Sequence, residues 1–183
     1  MKIGIILGSI RVKRNTETVA KWVAEHAATR QGSTTYELLD LRDFNVPLLS
    51  TSLHPMAAKK NYEDPNVQAW SDVVDPCDGF VFVTPEYNHA LPGAFKNAVD
   101  SLGSEWVGKP VAFVGHGSVG GVRAIEQWRQ VAANFAMPQV RAELNFNSFF
   151  NWGDDGFAPV DRQVDELHGL LDDLEDLVRK FRE

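Results

Sequence analysis

Three observations predict an α/β fold, a parallel sheet covered by helices on both faces. Short continuous apolar runs at Lys2–Leu7, Gly79–Val83 and Val111–Val114 read as strands buried on both sides. Other segments carry apolar residues at helical spacing, most plainly Val160, Val164, Leu167, Leu170, Leu171, Leu174, Leu177, Val178 and Phe181. Strands and helices alternate, with no repeat, low-complexity stretch or linker between them, and that order belongs to a parallel sheet.

Lys2–Leu7 is the first strand, short and rich in isoleucine. Thr16–Arg30 is the first helix, with Thr16 as its cap and Val19, Trp22 and Val23 on its apolar side. Thr35–Asp40 is a weaker second strand. Leu41–Tyr62 contains Pro47 and Pro55 and reads as irregular, and loops of that length are often functional. Pro65–Val74 is a short helix. Gly79–Val83 is the central strand, and Pro92–Leu102 restarts as a helix with proline at its first turn. Val111–Val114 is a strand, Val119–Phe135 a long helix, and Gln139–Leu144 the last strand of the sheet. Asn145–Gly156 is a turn-rich excursion carrying Phe146, Phe149, Phe150 and Trp152, and the last helix follows it.

The chain has 183 residues, 44% hydrophobic and 23% charged, enough for one domain with a real core. Its formal net charge of -7 argues against nucleic acid and anionic membrane as partners. No apolar run is long enough to span a bilayer, and the start runs into a strand rather than a signal peptide. One cysteine, Cys77, permits no internal disulfide, so a cytoplasmic location is expected. Cys77 precedes a buried strand and reads as an inert core thiol, with redox chemistry the alternative. The five histidines show no metal-ligand spacing, and no metal is expected.

In such folds ligands bind beyond the carboxyl ends of the strands, near the switch in strand order. That directs attention to Gly8–Asn15, Thr84–Leu91 and Gly115–Gly121. The first loop crowds Arg11, Lys13 and Arg14 onto an acidic chain and leads into a helix start, which favours phosphate. The alternative is an ordinary turn with solvated charge. The loop lacks both G-x-G-x-x-G and G-x-x-x-x-G-K-[ST], so neither a classical dinucleotide site nor a P-loop nucleotide hydrolase fits. The second loop, T-P-E-Y-N-H-A-L-P-G, offers Tyr87 as a wall and backbone groups to a flat ring, or is a plain turn. The third, G-H-G-S-V-G-G, permits close backbone approach. In it His116 is a polar turn residue, a donor at a ligand edge, or an acid in a hydride step.

Taken together, G-S-I-R-x-x-R (Gly8 to Arg14), V-A-x-W-V (Val19 to Val23), P-E-Y-N-H-A-L-P-G-A-F-K-N-A-V-D (Pro85 to Asp100) and G-K-P-V-A-F-V (Gly108 to Val114) resemble the NADPH-dependent FMN reductase family of flavodoxin-like proteins. That family includes quinone, azo-dye and chromate reductases. The resemblance runs from Met1 to Pro138 and fades beyond. It implies a single flavodoxin-like FMN-binding domain over residues 1–183, with a doubly wound five-stranded sheet of order 2-1-3-4-5. It implies that Ser9, Arg11, Arg14, Asn15 and Thr16 cradle the FMN phosphate, with Thr18 a further member. Pro85, Glu86, Tyr87 and Asn88 would lie along the isoalloxazine. Gly115, His116, Gly117, Ser118, Gly120 and Gly121 would form the other ring-contacting loop.

The resemblance also implies a mechanism. The nicotinamide of NADPH stacks on the ring, hydride passes to flavin N5, and a small-molecule acceptor then takes the same place in a ping-pong cycle. The acceptor is quinone-like, azo, flavin or metal-oxyanion, and no side chain need act as acid or base. Family members are homodimers or homotetramers, and Trp106, Phe149, Phe150 and Trp152 are candidate interface or lid residues, or plain core. The rivals are a flavodoxin-type electron carrier and a non-catalytic flavin-binding sensor. Flavodoxins favour a T-x-T-G-x-T phosphate loop, which this chain lacks.

Overall fold

The computed structural model describes residues 1–182. Five strands, β1 (Lys2–Leu7), β2 (Thr35–Asp40), β3 (Gly79–Pro85), β4 (Val111–Gly117) and β5 (Gln139–Asn147), form one sheet of order β2-β1-β3-β4-β5. All four neighbouring pairs are parallel. Side chains alternate across each strand, and the two faces bury different residues. Ile6, Phe80, Phe82 and Phe113 enter an aromatic layer with Trp70, Phe95, Trp106 and Trp128. Ile3, Ile5, Leu7, Val81, Val83 and Val114 enter a mainly aliphatic layer with Val19, Val23, Leu167 and Leu171. The aliphatic face is covered by α1 (Asn15–Ala28) and α7 (Asp161–Arg182). The aromatic face is covered by α4 (Pro65–Val74), α5 (Gly93–Asp100) and α6 (Val122–Asn134). Two single-turn helices, α2 (Leu41–Phe44) and α3 (Pro55–Ala58), break up the stretch expected to be irregular.

Register places the site. Leu7 pairs with both Asp40 and Val83, Thr84 with Gly115, and Gly115 with Asn145. The tips of all five strands therefore meet along one edge. The strand order switches direction at β1 and β3, where the fold leaves a crevice.

Several boundaries differ from the sequence expectation. The first helix begins at Asn15 with Arg14 as its cap residue, so Thr16 lies inside the first turn and caps nothing. Strands β3, β4 and β5 run two or three residues further than their apolar cores, because backbone pairing continues past the apolar run. The sixth helix starts at Val122, after a turn through Gly120 and Gly121, both at positive φ. Val160, just before α7, and Phe181, in its last turn, are exposed rather than part of the buried stripe. The Asn145–Gly156 segment contains the end of β5 and a small antiparallel hairpin, β6 (Trp152–Gly153) with β7 (Gly156–Phe157). Phe157 packs 5.0 Å from Phe146 and 4.9 Å from Trp152, between ring centroids, and Trp22 of α1 meets Phe146 edge-on at 5.3 Å.

Cys77 is buried, and burial pushes its thiol up to about 11, in keeping with an inert core thiol. Trp106 is core, not lid. It is fully buried, 4.9 Å from Phe80 between centroids, and its Nε1–H donates to the Val99 carbonyl at 3.0 Å. Trp106→Ala should lower the free energy of unfolding by about 3–5 kcal/mol. Chemical denaturation checks this, and a loss under about 1 kcal/mol would show that the aromatic layer is not packed around it.

Candidate functional site

The loop after β1 is shaped from inside. Gly8 passes so close to α5 that a Cβ there would strike the Phe95 ring. Arg14 is buried, and its guanidinium turns inward to donate to the Ser9 carbonyl and to pair with Asp40 at the tip of β2. The three basic residues therefore divide. Arg14 braces the loop, while Arg11 and Lys13 stay exposed, with the Arg11 guanidinium 5.7 Å from the Tyr87 ring centre. The sequence placed the Arg14 fork at a phosphate; in this structure its two terminal nitrogens are engaged by Ser9 and Asp40. No side chain caps the start of α1, so its first N–H groups are open to a ligand.

The second loop is a two-residue hairpin. Tyr87 N–H donates to Ala90 O at 2.9 Å and Ala90 N–H returns to Tyr87 O at 3.0 Å. Asn88 and His89 take positive φ between them, as a type I′ turn requires. Gln127 of α6 pins this turn, donating to the His89 carbonyl and accepting from Leu91 N–H. The Tyr87 hydroxyl lies 2.7 Å from Ser9 Oγ and joins the first two loops. The Glu86 side chain turns to α6. Its buried carboxylate pairs with the Arg123 guanidinium at 2.5 Å and accepts Arg123 N–H at 3.0 Å, fixing the first turn of α6.

In the third loop Gly115, His116 and Gly117 belong to β4 itself. A Cβ on Gly121 would lie 2.7 Å from the backbone nitrogen of His116, and φ there is +80°. The turn is held from β5: Asn145 Nδ2 donates to the Gly120 carbonyl, Asn147 Nδ2 to the Ser118 carbonyl, and Ser148 N–H to the Gly117 carbonyl. His116 is 7% exposed, and its Nε2 sits 2.8 Å from Thr16 Oγ1. Burial pulls its pKa down to about 4, so at neutrality the ring is uncharged.

These loops enclose a groove of about 530 Å³, lined by Arg11 and Lys13–Thr16, by Pro85–Tyr87, by His116–Ser118 and by Ser148. Among the residues expected at a site, Thr18 lies instead in an adjoining depression beside Lys21 and Asp155. Asn88, Gly120 and Gly121 shape turns behind the lining, and Gly115 is the β4 residue against which Gly120 and Gly121 pack; none of the four joins the lining. Buried Ser9 meets the groove through Tyr87. Sequence reasoning missed Asp40, Arg123, Asn147 and Ser148. Of these, Asp40 had a signal, as the last residue of the strand beside β1. A second cavity, between Pro47–Leu53 and Asn61–Val67, shares no residue with the groove. Among the described residues no group of three or more His, Cys, Asp or Glu is gathered for a metal, and no helix is long and apolar enough to cross a membrane.

A parallel sheet of this order, with helices on both faces, defines a flavodoxin-like α/β protein. Residues 1–151 match the family model of NADPH-dependent FMN reductase, and the chain belongs to that family of oxidoreductases. It is 38% identical over 136 residues to an NAD(P)H-dependent FMN reductase of Schizosaccharomyces pombe, covering 74% of this chain and 68% of that one. It is 36% identical over 145 residues to one of Saccharomyces cerevisiae, covering 75% and 76%. A quinone reductase of Pseudomonas putida is 31% identical over 144 residues, covering 74% and 72%. Among solved structures, a flavoenzyme NAD(P)H:acceptor oxidoreductase of Paracoccus denitrificans superposes with a TM-score of 0.75 at 20% identity, covering 98% of both chains. Flavodoxin 1 of Bacillus cereus gives 0.58 at 17% identity, covering 96% and 98%. Both share the fold.

The depressed His116 pKa has a consequence for stability. The unfolded chain takes up a proton near pH 6.5 and the folded chain only near 4, so stability present at neutrality is lost as pH falls through that window. Between pH 7 and pH 5 this should cost about 2 kcal/mol. Urea unfolding at the two pH values should show the loss in the wild type and a smaller one in His116→Gln. Equal losses in both proteins would mean that another group carries the effect.

Proposed function

We propose that the groove holds FMN and that the enzyme passes reducing equivalents from NADPH to a small acceptor by a ping-pong cycle. The observation that carries this reading is the arrangement at the start of α1. An uncapped helix terminus, the Thr16 hydroxyl and the exposed charges of Arg11 and Lys13 face one groove on an otherwise acidic chain. That donor set fits a phosphate dianion. The groove volume lies within the range of small-ligand sites. Tyr87 supplies an aromatic wall, and the Gly117–Ser118 backbone supplies polar groups for a ring edge.

When bound, the flavin supplies the electron chemistry, taking hydride from nicotinamide and yielding electrons to the acceptor. The protein's part is to bind and orient. Arg11 and the α1 terminus hold the anionic tail, Asn15 and Thr16 add donors, and the braced turn at Gly117–Ser118 offers fixed groups to the ring. Arg14 works from behind, through the Ser9 carbonyl and Asp40. A quinone-like, azo, flavin or metal-oxyanion acceptor would use the place nicotinamide leaves. Phe149 and Phe150, 74% and 81% exposed, are the candidates for a contact between copies of the chain in a homodimer or homotetramer. The lone buried cysteine accords with a cytoplasmic enzyme.

The purified chain should be yellow or turn yellow with FMN, and should oxidise NADPH when a quinone is added. Initial rates at several quinone concentrations should give parallel double-reciprocal lines. Intersecting lines would exclude the shared place, and a flavin-loaded chain that NADPH fails to reduce in stopped flow would be an electron carrier. Arg11→Ala should weaken FMN binding about tenfold, the worth of a hydrogen bond to a charged group, with little change in melting temperature. Loss of stability without loss of flavin affinity would remove Arg11 from the site.

A further inference from the structure

We propose that His116 is a positioning residue for the anion held at the start of α1, donating its Nε2–H to Thr16 Oγ1 so that the Thr16 hydroxyl proton is turned into the groove. The proposal rests on the reading of the groove as an FMN site.

The contact joins two elements that are 100 residues apart in sequence, the tip of β4 and the first turn of α1, at 2.8 Å. Both residues are buried and both line the groove. A hydroxyl has one proton and two lone pairs, and a neutral imidazole has one N–H. The pair therefore has two arrangements. If Thr16 donates to the ring, its oxygen presents only lone pairs to the groove and repels a phosphate. If the ring donates from Nε2, the Thr16 proton is free to bond the anion, and that bond is charge-assisted. Among the described residues the ring makes no other side-chain hydrogen bond, so no protein group fixes which nitrogen carries the proton. The bound anion then selects the Nε2–H form, with one proton leaving Nδ1 to water and one arriving at Nε2 from water. Burial keeps the ring uncharged near neutrality, so the response is a choice of tautomer and not of charge.

Two measurements on the full chain test this. Long-range proton–nitrogen spectra of the ¹⁵N-labelled protein should show His116 protonated at Nε2 when FMN is bound, and also with inorganic phosphate alone. A ring protonated at Nδ1 in the FMN-bound protein would overturn the proposal. Flavin fluorescence titrations should show that His116→Phe and Thr16→Val weaken FMN by about ten- to a hundredfold. Riboflavin, which lacks the phosphate, should change by less than about twofold under the same hydrogen-bond argument. His116→Gln, whose amide N–H reaches the same place, should recover most of the loss. Equal loss for both flavins would assign the contact to structure alone and overturn the positioning role, as would a His116→Phe protein that binds FMN as the wild type does. If that variant fails to fold, the spectra decide. A wild-type chain that takes up neither flavin overturns the FMN reading, and this role with it.

Discussion

A buried guanidinium gives the groove its shape. Arg14 lies under the β1–α1 loop and ties the Ser9 carbonyl to the Asp40 carboxylate, so the loop closes on itself and is fastened to the next strand. A charge removed from water needs both a partner and hydrogen bonds, and removing either partner of such a pair is strongly destabilising. Asp40 also accepts the Arg42 N–H at the start of α2. One pair of charges therefore sets the entry to two helices and leaves Arg11 and Lys13 on the outer side of the loop. It also accounts for a basic residue at a helix start, where the dipole disfavours positive charge. Asp40 neutralises it, and Glu17 lies 3.5 Å from its Nε.

The same economy of contacts links the other loops. Ser9 meets Tyr87, Thr16 meets His116, Glu86 meets Arg123, and Asn145 and Asn147 hold the turn that follows β4. Each bond joins loops from different strands, so parallel register becomes a rigid rim. On the proposed reading rigidity matters, because the side chains named would place donors rather than move protons. The glycines serve this rim sterically. Gly121 turns the chain at positive φ against the His116 backbone, where any side chain would collide. This chemistry is that of a scaffold for a cofactor, in line with the FMN reductase family to which the chain belongs.

Much of the architecture was legible because it rests on local pattern. Continuous apolar runs marked β1, β3 and β4, and helical stripes marked α1 and α7. Even β2, half exposed at the sheet edge, was legible as a weaker strand. What was hidden depends on distant partners. Thr16 has the chemistry of a helix cap, yet its hydroxyl is occupied by a histidine that only the fold brings near. Arg14 looks like a free phosphate ligand until β2 brings Asp40 beside it. The β6–β7 hairpin has strands of two residues each, too short to show a period, and aromatic packing against Trp22 and Phe146 holds it. The structure brings the three loops that topology singled out to one rim, but the contacts within them are set by side-chain pairs that sequence spacing does not encode.

The central claim is that the β1–α1 loop, braced from within by Arg14, presents the start of α1 to an anion. A crystal structure of the chain grown with FMN tests it most directly. The account predicts the phosphate against the Asn15–Thr16 backbone, with the Arg14 guanidinium still paired to Asp40. A phosphate bound elsewhere, or an Arg14 side chain swung out to meet it, would contradict the account.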